Sequence, residues 1–342
     1  MSRRHIAGLA IIALLAAAPA MAADAAKPAK PAKAAASKPW TAPRTPWGDP
    51  DLRGVWPLEE VARTPFQRPE KYGTRAELTD QEYAEALKSA NQQALRYASE
   101  EKAGKLGMGH WTEFGHTLRQ TSLITAPANG RLPPMTEAGK AMAAKMHSSW
   151  SEKVFDSIAD FNSLDRCITR GMPASMLPFP YNNGLRIFQG PGYVAMQLEL
   201  IHETRIIPLD GRGPMPGAIS TWLGASRGHF EGNTLVIETG NFNGGSPMVI
   251  VGPTNQPVPT SPKLHITERL TPAGPDTILY QARVEDPVVL TGPWEMSFPW
   301  TRNDRYRLYE YACHEGNTAI RNYIRATSPR FAAARAKAMA ER

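Results

Sequence analysis

Lys263-Leu-His-Ile-Thr-Glu-Arg-Leu270 and Thr277-Ile-Leu-Tyr-Gln-Ala-Arg-Val-Glu285 decide the fold. In the first segment Leu264, Ile266 and Leu270 alternate with His265, Thr267 and Arg269. In the second, Ile278, Tyr280, Ala282 and Val284 keep a strict period of two. That period is a strand with one buried face, and Pro272-Ala-Gly-Pro275 between the segments supplies a turn. Working outward, Leu185–Gln189, Tyr193–Leu200, Thr204–Leu209, Thr234–Thr239, Trp294–Trp300 and Tyr306–Tyr311 read as further strands. Asp210-Gly211-Arg212-Gly213, Glu231-Gly232-Asn233 and Gly244-Gly245 separate them. Short strands at near-regular spacing, without helices between them, predict a mainly β, antiparallel fold. A lipocalin-like barrel, closed or nearly so, is expected ahead of a sandwich, because closure removes exposed strand edges.

Upstream of the strands the pattern changes. Residues 40–66 are rich in Pro, Trp and Gly and predict an extended arm anchored by Trp47, Trp56 and Trp40. Thr79-Asp80-Gln81-Glu82 is a capping box opening a helix to about Lys102, ended by Gly104, Gly107 and Gly109. A shorter helix is predicted from Thr136 to His147. Both carry few large apolar residues and read as accessories to the core. The expected organisation is a signal peptide (1–22), a disordered Ala/Lys/Pro linker (23–39) and an arm with accessory helices (40–150). A β-barrel domain (151–328) and a basic tail (329–342), able to form an outer helix, follow.

The signal reading rests on Arg3 and Arg4, the apolar run Ile6–Pro19 and Ala20-Met21-Ala22, a small-x-small cleavage site. The run is short for a bilayer span, so export to the periplasm or medium is expected, with no membrane anchor after cleavage. Ser2-Arg3-Arg4 carries the paired arginines of twin-arginine export, but the residues after it depart from that consensus, which favours the general secretory route. The net charge of +7 sits in the two tails, at Arg3 and Arg4, at Lys27, Lys30, Lys33 and Lys38 against Asp24, and at Arg330, Arg335, Lys337 and Arg342 against Glu341. The body is close to neutral, which excludes a nucleic-acid-binding face.

Cys167 and Cys313 are the two cysteines. In an oxidising compartment a disulfide closing a loop of about 145 residues is the default, and two buried thiols the competing reading. Neither belongs to a Cys-x-x-Cys pair, so covalent haem is not indicated. Gly224-Ala-Ser226-Arg-Gly228 matches the Gly-x-Ser-x-Gly nucleophile elbow, which needs a helix after the serine. A strand, Thr234–Thr239, follows instead, so a hairpin is expected. His202-Glu203, His229, His265 and His314-Glu315 show neither His-x-His nor another strand-ligand spacing, and adjacent pairs point to opposite strand faces. No metal or other cofactor is expected, a metal held by histidines of different strands being the lesser reading.

The densest chemistry is Glu310–Asn317. If Cys313 joins Cys167, then His314, Glu315 and Asn317 come alongside Asp165, Arg166 and Arg170 at a barrel mouth, either as an acid–base site or as an ion-pair network. His314 and Glu315 are the acid–base candidates, and Arg170 or Arg227 the anion stabiliser. Trp222, Asp286, Trp294, Tyr311 and Asn317 are candidate ligand contacts.

Pro50–Trp56, Thr121–Ile124, Gly130–Pro134, Arg205–Arg212, Trp222–Gly228, Gly232–Phe242 and Glu310–Asn317 follow one another in fixed order. Together they resemble a large uncharacterised family of exported bacterial β-rich proteins, over about residues 45–320. The resemblance implies one β-rich domain with an N-terminal extension and no particular reaction. His229 stands where such proteins usually carry Trp, and Asn233 where they carry Asp. The expected function is a cofactor-independent lyase or isomerase, with hydrolysis next, acting on a small, largely apolar, aromatic or isoprenoid-like molecule. A non-catalytic periplasmic binder of the same kind of ligand and a structural envelope module are the alternatives. Oligomeric state is open.

Overall fold

The computed structural model describes residues 40–107, 110, 112, 115–146, 148–149, 154–213, 215–251 and 256–340. The signal and linker readings, Gly109 and His147 lie outside them. Twelve strands among the described residues form three antiparallel sheets. β1 (Gly54–Pro57), β3 (Gly184–Gly190), β4 (Tyr193–Leu198) and β5 (Thr204–Pro208) make one in the order β1-β3-β4-β5. β2 (Ile124–Ala126), β6 (Ala225–Glu231), β7 (Thr234–Gly240), β10 (His265–Gly274), β11 (Thr277–Glu285) and β12 (Trp294–Thr301) make the second, ordered β2-β12-β11-β10-β7-β6. β8 (Pro247–Val251) and β9 (Gln256–Pro259) pair separately.

The alternation in the sequence becomes the inner face directly. Ile278, Tyr280, Ala282 and Val284 of β11 are buried, as are Trp294, Met296, Phe298 and Trp300 of β12. They share one apolar core with Leu185, Ile187, Val194, Met196 and Ile207 of the first sheet. Tyr280 stacks on Trp300 at 4.5 Å and meets Phe298 edge-on at 5.3 Å. Large side chains therefore fill the space where an enclosed ligand was expected. The strands do not close into a barrel either. β5 and β6 come together where a Cβ on Gly228 would lie 2.8 Å from Ile207 and 2.9 Å from Leu209, yet no ladder joins them.

The arm is part of both sheets, supplying β1 to one and β2 to the other, and residues Trp40–Arg342 form a single compact unit. Trp56 is buried there, whereas Trp40 is exposed. α1 (Asp80–Lys102) starts at the expected capping box, with Thr79 and Glu82 bonding reciprocally, and buries no residue. α2 (Glu137–Lys145) is capped by the Thr136 hydroxyl. Two further helices, α3 (Ala319–Thr327) and α4 (Ala332–Ala340), bury none of their residues. Tyr306–Tyr311 is not a strand: the Glu199 carboxylate takes the Tyr306 hydroxyl and the Tyr309 N–H and holds the segment without a ladder. No helix of the described residues is long and apolar enough to cross a membrane.

Candidate active site

Cys167 and Cys313 form a disulfide with their Cα atoms 5.6 Å apart. The bond brings the segment before Arg170 against the one after Tyr311. His314 and Glu315 occupy an exposed turn closed by the Glu315 N–H on the Ala312 carbonyl, outside any cleft described here. Asn317 donates to Cys167 Sγ at 3.3 Å and accepts the Ala319 N–H, so it braces the cross-link and the start of α3. Two other expected contacts are structural. Trp294 is fully buried against Phe66, because its place on β12 faces the core. Asp286 is buried and takes the Ser261 N–H and hydroxyl, both at 2.7 Å, fixing the turn after β11.

Of the remaining expected residues, Arg227 and Trp222 line a cleft, whereas Arg170 and Tyr311 are not in its wall. The cleft, of about 470 Å³, is lined by residues of β5 and β6, among them Arg205, Ser226 and Arg227, with Ile168, Glu203 and Trp222. The Trp222 ring rests on Gly245, where a Cβ would come within 2.7 Å of it. Arg227 is held by two backbone carbonyls, Nε on Gly213 at 3.2 Å and Nη1 on Ser226 at 2.8 Å. Ser226 sits within β6, buried, its Oγ 2.9 Å from Thr239 Oγ1 and 3.3 Å from Arg205 Nη2. It is not an exposed nucleophile at a strand-to-helix turn.

Glu203 is placed by unusual backbone. Ile201 and His202 have φ of 59° and 45°, a region that a β-branched residue rarely enters. Such strain concentrates at functional positions. It turns the chain from β4 into β5 and directs the His202 Nδ1 to the Tyr311 carbonyl at 3.2 Å. The Glu203 carboxylate accepts the Ser175 hydroxyl at 3.0 Å and a second bond from Thr169. Burial pushes its pKa up, and neither the hydroxyls nor the arginines 170 and 205 nearby reverse that.

Arg170 gives its Nη1 to the Leu177 carbonyl at 2.9 Å and lies 4.3 Å over the Phe179 ring. Burial lowers its pKa to about 10, against the pull of Tyr181 and Glu203. Tyr181 links it to Tyr311: burial first, then the charge and hydrogen bond of Tyr311, push the Tyr181 hydroxyl well above its usual range. Beneath the cleft, Arg205 forms a two-point pair with Glu268, their side chains 2% and 0% exposed, and the Tyr280 hydroxyl donates to the same carboxylate at 2.9 Å. Glu203, Ser175 and Tyr181 were not among the expected site residues. Glu203 was visible only as half of a His-Glu pair, and nothing local marks the other two.

Among the described residues no group of three or more His, Cys, Asp or Glu is arranged to hold a metal ion. These features define an antiparallel β protein of two larger sheets and a two-stranded one, with an ionisable cleft beside the seam where β5 and β6 come into contact. No family model, curated protein or solved structure matches the chain.

Proposed function

We propose that the protein is an exported enzyme that moves a proton on a small, largely apolar molecule bound in the seam cleft, with Glu203 as the proton carrier. The observation that carries this reading is a carboxyl in the cleft wall, bonded by hydroxyls and raised in pKa by burial. A carboxyl with a raised pKa takes up a proton more readily than an ordinary carboxylate, which suits it to passing a proton in both directions. The carboxylate form takes a proton from a carbon of the substrate, and the carboxylic acid returns it. Return at another atom gives an isomerase, and loss of a leaving group gives a lyase. Neither step calls on a cofactor. Trp222 and Ile206 supply the apolar wall, and the disulfide, suited to an oxidising compartment, holds the Arg170 side of the site.

Solvent-deuterium incorporation tests this. With phenylpyruvate as a carbon-acid probe in deuterated buffer, the native protein is expected to speed exchange at the benzylic carbon, and Glu203→Gln to return it to the buffer rate. Native protein that leaves the buffer rate unchanged overturns proton transfer on this probe. Saturable binding of the probe without exchange supports the second reading, a periplasmic ligand-binding protein using the same cleft.

A further inference from the structure

We infer that the ligand of this cleft is an organic anion, a carboxylate on a flat apolar body, and that Arg227 receives the carboxylate. The inference rests on the cleft being the site proposed above and names its ligand class. Among the described residues neither Arg227, in the cleft wall, nor Arg170, which feels the charge of Glu203, forms an ion pair. Arg227 uses Nε and Nη1 on backbone carbonyls, which fix its plane but leave its charge uncompensated. Asp210 acts on it only at longer range and is itself paired with Arg212. Arg170 is likewise held by the carbonyls of Leu177 and Pro178, and no described carboxylate lies within ion-pair distance of either arginine.

Glu203, whose charge acts on Arg170, accepts its hydrogen bonds from the hydroxyls of Ser175 and Thr169 and from neither guanidinium. Arg205 is already matched by Glu268 and adds no excess charge. Even with Glu203 ionised, Arg170 and Arg227 leave one positive charge unmatched at the cleft, beside its apolar wall, a setting in which an arriving anion is held. Its other surface is apolar. Ile206 is 56% exposed there, an aliphatic side chain left uncovered, and Ile168, Met215, Trp222 and Leu223 complete the wall. A planar hydrophobic body against Trp222 with a carboxylate at Arg227 satisfies both halves.

Calorimetric titration with 3-phenylpropionate and with its uncharged amide separates the ideas, because the two probes share shape and differ in charge. The acid is expected to bind about tenfold or more tightly than the amide, the worth of one charge-assisted hydrogen bond. Arg227→Gln should erase that preference, and Arg227→Lys, which keeps the charge, should retain part of it. Equal binding of acid and amide by the native protein overturns the anion inference and leaves the cleft standing. Binding of neither probe overturns both. An unchanged preference in a folded Arg227→Gln variant, folding being checked by circular dichroism, removes Arg227 from the role.

Discussion

Glu203 and Glu268 are two carboxyls near one seam whose surroundings give them opposite tasks. Glu268 is locked to Arg205 and the Tyr280 hydroxyl inside the core. Replacing it with Gln leaves a buried guanidinium uncompensated and should cost about 3–5 kcal/mol in urea unfolding. Replacing both partners with apolar residues of similar volume should restore much of that. Glu203 is instead raised in pKa by burial, so the sign of its linkage is fixed. In the unfolded chain it titrates near its ordinary 4.5, below its folded value. Its contribution is complete below that pH and is lost as pH rises through the folded value. Glu203→Gln removes the effect, so its melting temperature relative to the native protein should be higher at pH 8 than at pH 4. A difference of the opposite sign would show that the native carboxyl is stabilised as an anion. Glu268 was legible in part: it falls in phase with Leu264, Ile266 and Leu270 on the apolar face of its strand. The polar partners of Glu203 come from a loop some 30 residues earlier, and no local pattern announces them.

Elements with a strong period were readable from sequence, and elements defined by their partners were not. β11 and β12 follow the alternation of their residues, and α1 begins at its capping box. β1 and β2 are four and three residues long and exist because a longer neighbour pairs with them. Tyr306–Tyr311 has the composition of a strand but its polar groups are met by Glu199, so it stays irregular. The same contrast predicts local stability. α1 buries no residue, whereas β11 lies between two paired strands with alternate side chains in the core. In hydrogen-exchange mass spectrometry α1 should exchange by local opening long before β11, whose amides should follow global unfolding. Equal protection of the two would mean that α1 is covered by something in solution.

At the scale of the molecule, the expectation of a hollow barrel gave way to a filled core between sheets, and the proposed chemistry moves from the interior to the seam. The alternation of residues shows which face of a strand is buried. It does not show whether the buried faces meet each other or enclose a space, because aromatic side chains of one size serve either arrangement. Tyr280, Phe298 and Trp300 meet each other. The disulfide was legible from two cysteines and the expectation of an oxidising compartment, but the residues it assembles around Arg170 are Tyr181 and Tyr311, with His314 and Glu315 left in solvent. Everything functional then depends on the seam being where a ligand sits. Amide chemical-shift mapping with 3-phenylpropionate addresses that directly. The account expects the perturbed amides to cluster at Glu203–Ile206 and Trp222–Arg227, with His314–Asn317 unmoved. Perturbation confined to the His314 turn, or to a surface away from β5 and β6, would contradict it.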